Sequence, residues 1–155
     1  MFTGRLVGIY SVDDASARLQ SSAAIQAIEG IGLAGDRYAA GTGTYSARGG
    51  AGRAVTLIER EVVAAVNDDG VPLGEDETRR NLVTEGVPLH HLVGVTFRVG
   101  SVILQGVRPC PPCAHLESLT RAGVRTALEN RGGLRADIVR GGLLRVGDEI
   151  AVVSG

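Results

Sequence analysis

The sequence predicts a mainly β fold of the α+β kind, a mixed or antiparallel β-barrel with two or three short helices. Three observations support this fold class. The apolar residues fall into about seven short β-branched runs, these runs do not alternate regularly with helices, and glycine is frequent, with 23 residues among 155. Hydrophobic residues make up 44% of the chain and charged residues 21%, so we expect one globular domain over residues 1–155.

The first third of the chain predicts one clear strand and one ambiguous segment. Arg5–Val12 reads as a strand that Asp13 and Asp14 close. The stretch "SSAAIQAIEG" fits a helix by its Ala and Gln and a strand by its alternation. Gly30–Gly35 matches G-x-G-x-x-G, but a glycine-rich loop follows it in place of a helix. We therefore interpret these residues as turn glycines and reject a dinucleotide site.

The remaining elements follow from periodicity and from turn residues. Arg53–Ile58 predicts a strand, and Glu59–Asn67 predicts a helix with an acidic first turn. The stretch "TRRNLVTEG" predicts a short strand that runs into a turn, and "TFRVGSVILQGV" predicts a hairpin through Gly100 and Ser101. Helical segments "AHLESLT" and "AGVRTALENR" come next, and "LRADIVRGG" and "DEIAVV" close the chain as strands.

Charge and hydropathy exclude several classes of function. The net charge of −1 argues against a broad nucleic-acid surface. No apolar run is long enough to span a membrane and none follows a basic start, so we expect a cytoplasmic protein with neither membrane contact nor signal peptide. All 16 basic residues are arginine, which suits phosphate and carboxylate recognition but also fits a GC-rich genome.

The stretch "RPCPPCAHLE" (108–117) holds both cysteines and is the strongest candidate for chemistry. Proline is tolerated in a first helical turn, so we expect Cys110 to precede a helix and Cys113 to lie within its first turn. The positive end of a helix favours a thiolate, which can attack sulfur or bind a soft metal.

Four interpretations of this pair remain open. A structural zinc site needs about four ligands, whereas Cys110, Cys113 and His115 supply at most three. A thioredoxin-like dithiol needs a β-α-β context that the sequence lacks. Two buried, unreactive cysteines are a common arrangement. The fourth interpretation is a functional thiolate at Cys113 with Cys110 as an optional partner.

Two other polar groups are candidates for a site. Arg79, Arg80 and Asn81 stand together, and if they lie on a strand at most one arginine faces a given pocket; an ordinary solvated charge pair is the alternative. His90 and His91 fall in a turn, where a surface pair is the simpler interpretation.

Several segments together resemble the MOSC domain family, which is named for the C-terminal domain of molybdenum-cofactor sulfurases. The similar segments occur in the family's order over nearly the whole chain: "GIGLAGDRY" (30–38), "TRRNLVTEGVPLHHLVGVTFRVGSVILQGV" (78–107), "RPCPPCAHL" (108–116) and "GLRADIVRGGLLRVGDEI" (133–150). One departure is Gly94-Val95, where many relatives carry Gly-Asp.

The resemblance implies a barrel-like fold of the MOSC type and makes the ambiguous "SAAIQAIEG" a strand. It carries the family's cysteine, in a P-C-x-x-L context, onto Cys113 and leaves Cys110 as an extra thiol. It also implies the molybdenum cofactor (molybdopterin) as the small-molecule ligand, with Cys113 as metal ligand or sulfur carrier. The implied cofactor-binding residues are Arg79, Arg80, Asn81 and His115, with Asp36 and Arg37 as a brace near the site, where a buried salt bridge is the alternative.

Three functions are compatible with that resemblance. The chain could be part of a reductase of N-hydroxylated compounds that uses a separate electron donor, because it has no redox module of its own. It could be a sulfur carrier or transferase that forms a Cys113 persulfide without molybdenum, or a non-catalytic module that binds the cofactor.

Overall fold

The structure is a computed structural model that describes residues 2–14, 16–40 and 51–153. Within these residues the strands are β1 Gly4–Ser11, β2 Gln20–Ser22, β3 Ala24–Ile28, β4 Gly32–Leu33, β5 Val55–Glu59, β6 Leu82–Glu85, β7 Thr96–Val99, β8 Val102–Pro109, β9 Leu134–Arg140, β10 Gly142–Arg145 and β11 Glu149–Val152. The α-helices are α1 Arg37–Ala40, α2 Arg60–Asp68, α3 Ala114–Leu119 and α4 Val124–Ala127, and 3-10 turns lie at Glu75–Glu77 and Leu89–Leu92.

Seven strands close into a barrel in the order β11-β7-β8-β9-β5-β6-β1, and β1 pairs with β11 to complete the circle. The β5–β6 pair is parallel and the other pairs of the barrel are antiparallel, so the barrel is mixed, which is one of the two arrangements predicted. β2 extends the sheet beyond β1, while β10, β3 and β4 form a separate three-stranded sheet. Closure removes the open edges of the barrel sheet.

Aliphatic side chains fill the barrel because alternate residues of each strand point inward. The interior cluster includes Leu6, Leu57, Phe97, Leu104 and Ile150, all fully buried. A second cluster lies outside the barrel wall, where α2, α3 and α4 cover β5 and β6 with Val63, Leu116 and Leu128, among others. This second cluster is what places the cysteine segment against the barrel.

The fold class and most elements are confirmed. The hairpin forms as β7 and β8, the ambiguous stretch is extended as β2 and β3, and the three predicted helices are present as α2, α3 and α4. The glycines of 30–35 lie in and around a turn that joins β3 to β4, not in a dinucleotide loop.

Some local predictions were wrong. The predicted loop after Gly35 starts with the short helix α1, and residues 41–50 of that loop lie outside the described residues. Strand β6 begins at Leu82, so Arg79, Arg80 and Asn81 precede it. Strands β4 and β10 were missed because each is only two to four residues long, and β10 in addition pairs with β3, which is far away in the sequence. No helix in the described ranges is long and apolar enough to cross a membrane.

Candidate functional site around Cys113

The cysteine segment leaves the barrel at the end of β8 and enters α3. The Cys110 amide donates a hydrogen bond to the Gly133 carbonyl (2.8 Å), which continues the β8–β9 pairing by one step. Residues 110–113 form no turn, and Cys113 is extended at φ −139° and ψ 171°. The helix therefore begins at Ala114, one residue later than predicted, and Cys113 is its N-cap residue. The Cys113 carbonyl accepts the first helical hydrogen bond, from the Glu117 amide (3.2 Å).

The two thiols lie in different surroundings. Cys110 is 1% exposed, whereas Cys113 is partly exposed and packs against the second apolar cluster. Neither of the two cysteines forms a disulfide, and the Cys113 side chain makes no capping hydrogen bond to α3. Because Cys113 is partly exposed and Cys110 is buried, Cys113 is the better placed of the two thiols to meet a ligand.

Arg80 holds the cysteine segment through hydrogen bonds to backbone carbonyls. Its Nε donates to the Gly132 carbonyl (2.7 Å), and its Nη2 donates to the carbonyls of Cys110 (3.2 Å) and Pro111 (3.3 Å). The residue is only 6% exposed, and among the described residues it forms no ion pair with a carboxylate. The backbone that leads to Cys113 thus contacts a buried guanidinium.

Arg79 points away from Arg80, toward the loop after β1. It adopts a left-handed conformation (φ 63°), which is uncommon for a residue with a Cβ atom. Its guanidinium donates to the carbonyls of Ala17 and Asp14 (3.5 Å to the latter). A cavity of about 160 Å³ lies beside this guanidinium and reaches Leu119 and Thr120 at the end of α3. Arg79 is therefore the arginine of the pair that borders a cavity.

Asn81 connects strands β1 and β5 and is completely buried. Its Oδ1 accepts hydrogen bonds from the Thr56 amide (3.1 Å) and the Thr56 hydroxyl (3.2 Å), and its Nδ2 donates to the Tyr10 carbonyl (3.1 Å). The polar atoms of the Asn81 side chain are thus hydrogen-bonded to neighbouring strands inside the barrel wall.

Asp36 and Arg37 form a buried ion pair (3.1 Å between Oδ1 and Nη1) next to Arg79. Arg37 Nη2 also donates to the Arg79 carbonyl (2.9 Å), and Asp36 Oδ1 accepts from the Val12 amide (3.2 Å). The pair holds the strained Arg79 backbone in place and is itself 3% exposed or less.

The histidines divide between two places. His115 is partly buried in the first turn of α3, two residues after Cys113. His90 and His91 are exposed on a 3-10 turn, and His90 lines a cavity of about 400 Å³ whose other walls include Cys110, Asn130 and Gly133. No group of three or more His, Cys, Asp or Glu side chains in the described ranges could hold a metal ion.

Two carboxyl groups near these features have shifted pKa values. Arg121 donates a hydrogen bond to Glu77 (2.7 Å) and thereby lowers the pKa of that carboxyl, which lines the Arg79 cavity. Burial raises the pKa of the Glu59 carboxyl, although a hydrogen bond from the Leu89 amide and the nearby His90 act in the opposite direction.

Sequence reasoning missed the brace that Arg80 provides. Its partners are backbone carbonyls from residues 110, 111 and 132, and no pattern of side chains encodes such contacts. One residue in the sequence does relate to this contact, namely Gly132. A Cβ atom at that position would lie 2.3 Å from the Cys110 carbonyl oxygen and 3.0 Å from Pro112 Cδ. A glycine at this position indicates close backbone approach.

Comparison with known proteins identifies related sequences and folds. The family model described as the MOSC domain matches residues 44–151, which is more than half of the chain. The YuaD protein from Bacillus subtilis has a similar fold, with a TM-score of 0.78, 19% identity and complete coverage of both chains.

Two further crystal structures are similar at the level of the fold. YiiM from Geobacillus stearothermophilus has a TM-score of 0.74 and 14% identity, over 97% of this chain and 75% of its own. YiiM from Escherichia coli has a TM-score of 0.67 and 18% identity, over 97% and 70%. No curated protein matches the chain.

Proposed function

The chain belongs to the MOSC domain family, and we propose that it binds the molybdenum cofactor with the Cys113 thiol as ligand of the metal. The observation that supports this most directly is the position of Cys113. Cys113 is partly exposed, and its side chain does not cap α3. The segment that carries it is held by Arg80, a buried arginine that has no carboxylate partner among the described residues. A thiolate is a soft donor of the kind that a soft metal centre selects.

The donor groups of Cys113 and Arg79 fit the cofactor in part. Cys113 would supply the sulfur ligand, and Arg79 beside its cavity would supply charge for the phosphate of the pterin. Asn81 and the Asp36–Arg37 pair are buried in contacts with the protein itself, so we assign them to support of the site and not to contact with the ligand. When bound, the cofactor supplies redox chemistry at the metal; the protein supplies position and charge.

The protein's own residues would perform two tasks. Arg80 holds the backbone carbonyls of Cys110 and Pro111 and so would fix the segment that carries the Cys113 sulfur. The second apolar cluster behind Cys113 shields one side of the sulfur from water. If the chain is part of a reductase of N-hydroxylated compounds, a separate protein has to donate the electrons. We propose a cytoplasmic location for the chain itself.

A sulfur carrier is the second candidate function. In that case Cys113 holds a persulfide and no molybdenum is needed, with a separate protein as sulfur donor. The same partly exposed thiol supports this function, because a carrier sulfur has to be reached from outside. A module that binds the cofactor without catalysis is the third form of the proposal.

The test uses protein purified from a host that makes the molybdenum cofactor. Molybdenum is measured by elemental analysis, and intact mass is measured with and without reductant. We expect molybdenum in the wild type and its loss in Cys113→Ala, with Cys110→Ala as the matched control that retains it. A gain of one sulfur that reductant removes, without metal, supports the carrier. Equal loss in both variants contradicts the assignment of Cys113, and neither signal in the wild type contradicts both functions.

A further inference from the structure

We infer that Cys110 and Cys113 cannot pair with each other in the folded protein, so that covalent chemistry at the Cys113 sulfur always involves a partner outside this chain. The separation of the two thiols is argued from geometry alone. Its consequence for sulfur transfer rests on the carrier form of the proposed function.

The backbone between the two cysteines is extended. Cys110 and Pro111 each precede a proline, which excludes the helical conformation for most residues, and both prolines have a fixed φ. Residues 110–113 form no turn, and Cys113 is itself extended. At a rise of about 3.1 Å per residue the two Cα atoms lie about 9 Å apart, whereas a disulfide needs a separation below about 7 Å.

The position of α3 explains why this C-x-x-C pair differs from a C-x-x-C pair that can form a disulfide. Residues at i and i+3 meet when they share a helical turn. Here α3 begins at Ala114, so the whole C-P-P-C stretch precedes the helix and its two thiols do not share a turn.

Contacts with the rest of the protein hold the stretch in this form. Arg80 donates to the carbonyls of Cys110 and Pro111 and, on the other side, to Gly132. Gly132 lies so close that a Cβ atom there would meet the Cys110 carbonyl oxygen at 2.3 Å. Closing a disulfide would require the segment to bend, and bending would break these contacts around a buried guanidinium.

The two thiols also have different access to solvent. Cys110 is 1% exposed and Cys113 is partly exposed, so a reagent reaches the second thiol first. Cys110 then contributes packing, and Cys113 is left without a resolving thiol in the described chain.

For a sulfur carrier the consequence is a specific order of steps. The Cys113 thiolate attacks the outer sulfur of an external persulfide; a new S–S bond forms at Cys113, and the donor leaves as a thiolate. An acceptor thiolate from another molecule then attacks the outer sulfur of Cys113, whose own sulfur leaves as a thiolate. Attack by Cys110 on the inner sulfur, which would expel hydrosulfide and close a disulfide, is prevented by the separation.

The test is oxidation of the reduced protein by diamide in the presence of glutathione, followed by intact mass and peptide mapping. We expect one glutathione on Cys113, an unmodified Cys110 and no Cys110–Cys113 disulfide. Cys110→Ser is the matched control and should acquire glutathione at the wild-type rate. A Cys110–Cys113 disulfide in the folded wild type would overturn the inference.

Two variants test the cause of the separation. Pro111→Gly/Pro112→Gly relaxes the backbone, and Arg80→Gln removes the three carbonyl contacts; circular dichroism checks that each is folded. An internal disulfide in either folded variant supports the inference, and its absence from both means that another feature separates the thiols. None of these measurements uses molybdenum or a persulfide, so they remain decisive if the proposed function fails.

Discussion

Arg79, Arg80 and Asn81 are consecutive, yet each side chain binds a different part of the molecule. Arg79 reaches the loop after β1, Arg80 reaches the cysteine segment, and Asn81 joins β1 to β5. The left-handed backbone of Arg79 turns the chain just before β6 and so separates the two guanidinium groups. The sequence analysis predicted that the two arginines would not face the same pocket, and this is what the structure shows. The reason given was wrong, because the analysis placed both arginines on a strand, whereas they precede β6.

Replacement of Asn81 by alanine should destabilise the protein rather than remove a ligand contact. The variant leaves buried polar groups of Thr56 and Tyr10 without their partner, and we expect a loss of about 3 kcal/mol in the free energy of unfolding. Urea unfolding measures it. Asn67→Ala, whose amide also binds backbone groups but in an exposed residue, should cost less. A stable Asn81→Ala protein that loses molybdenum would instead make Asn81 a ligand contact.

At the scale of elements, the short turns and helices around the barrel are joined by polar contacts as well as by apolar packing. The 3-10 turn Glu75–Glu77 is tied to the segment after α3, where Arg121 donates to Glu77 (2.7 Å). Glu77 also accepts a hydrogen bond from the Gly74 amide (2.9 Å). These contacts fix one wall of the cavity beside Arg79.

The Glu77 contact should appear in the pH dependence of stability. The hydrogen bond from Arg121 lowers the pKa of Glu77 in the folded protein, so the contact stabilises the fold above the unfolded pKa of about 4.3 and this contribution is lost as the pH falls through the lower, folded pKa. We expect Glu77→Gln to flatten the acid side of a plot of urea midpoint against pH. Arg121→Gln should flatten it in part, because the Gly74 amide still lowers the pKa of Glu77, and the double variant should add nothing beyond Glu77→Gln. Independent, additive effects would contradict the pairing.

At the scale of the whole molecule, closure of the barrel depends on the last strand. β11 pairs with both β1 and β7, so Ile150 stands opposite Gly4 on one side and Val99 on the other. Its side chain is fully buried in the barrel interior. The cysteine segment leaves from β8, two strands away from β11 in this circle, so the position of Cys113 depends on a closed barrel.

Truncation of Ile150 to alanine should therefore cost about 2–5 kcal/mol in the free energy of unfolding, since it opens a cavity in the barrel core. Val153→Ala is the matched control: this residue follows β11, is 40% exposed, and should change stability by less than about 0.5 kcal/mol. Thermal and urea unfolding measure both variants. Equal, small effects would show that the last strand is not required for the barrel.

How far the site could be predicted differs from residue to residue. The cysteine stretch was recognisable because thiols, prolines and a following helix have strong local preferences. Arg80 could be named as a candidate but not as a brace, because its partners are carbonyls, which every residue carries. The cavity beside Arg79 was also beyond prediction, since its walls come from three separate parts of the chain.

The sequence by itself determined the mainly β class, the hairpin, the main helices and the family, since each depends on local periodicity or on ordered motifs. Only the tertiary structure decided which segment each arginine contacts and that the Asn81 side chain is hydrogen-bonded inside the barrel wall. It also decided that Cys110 is buried while Cys113 is partly exposed. The physical reason is that exposure and hydrogen-bond partners depend on residues far apart in the chain, which meet only when the strands close into a barrel.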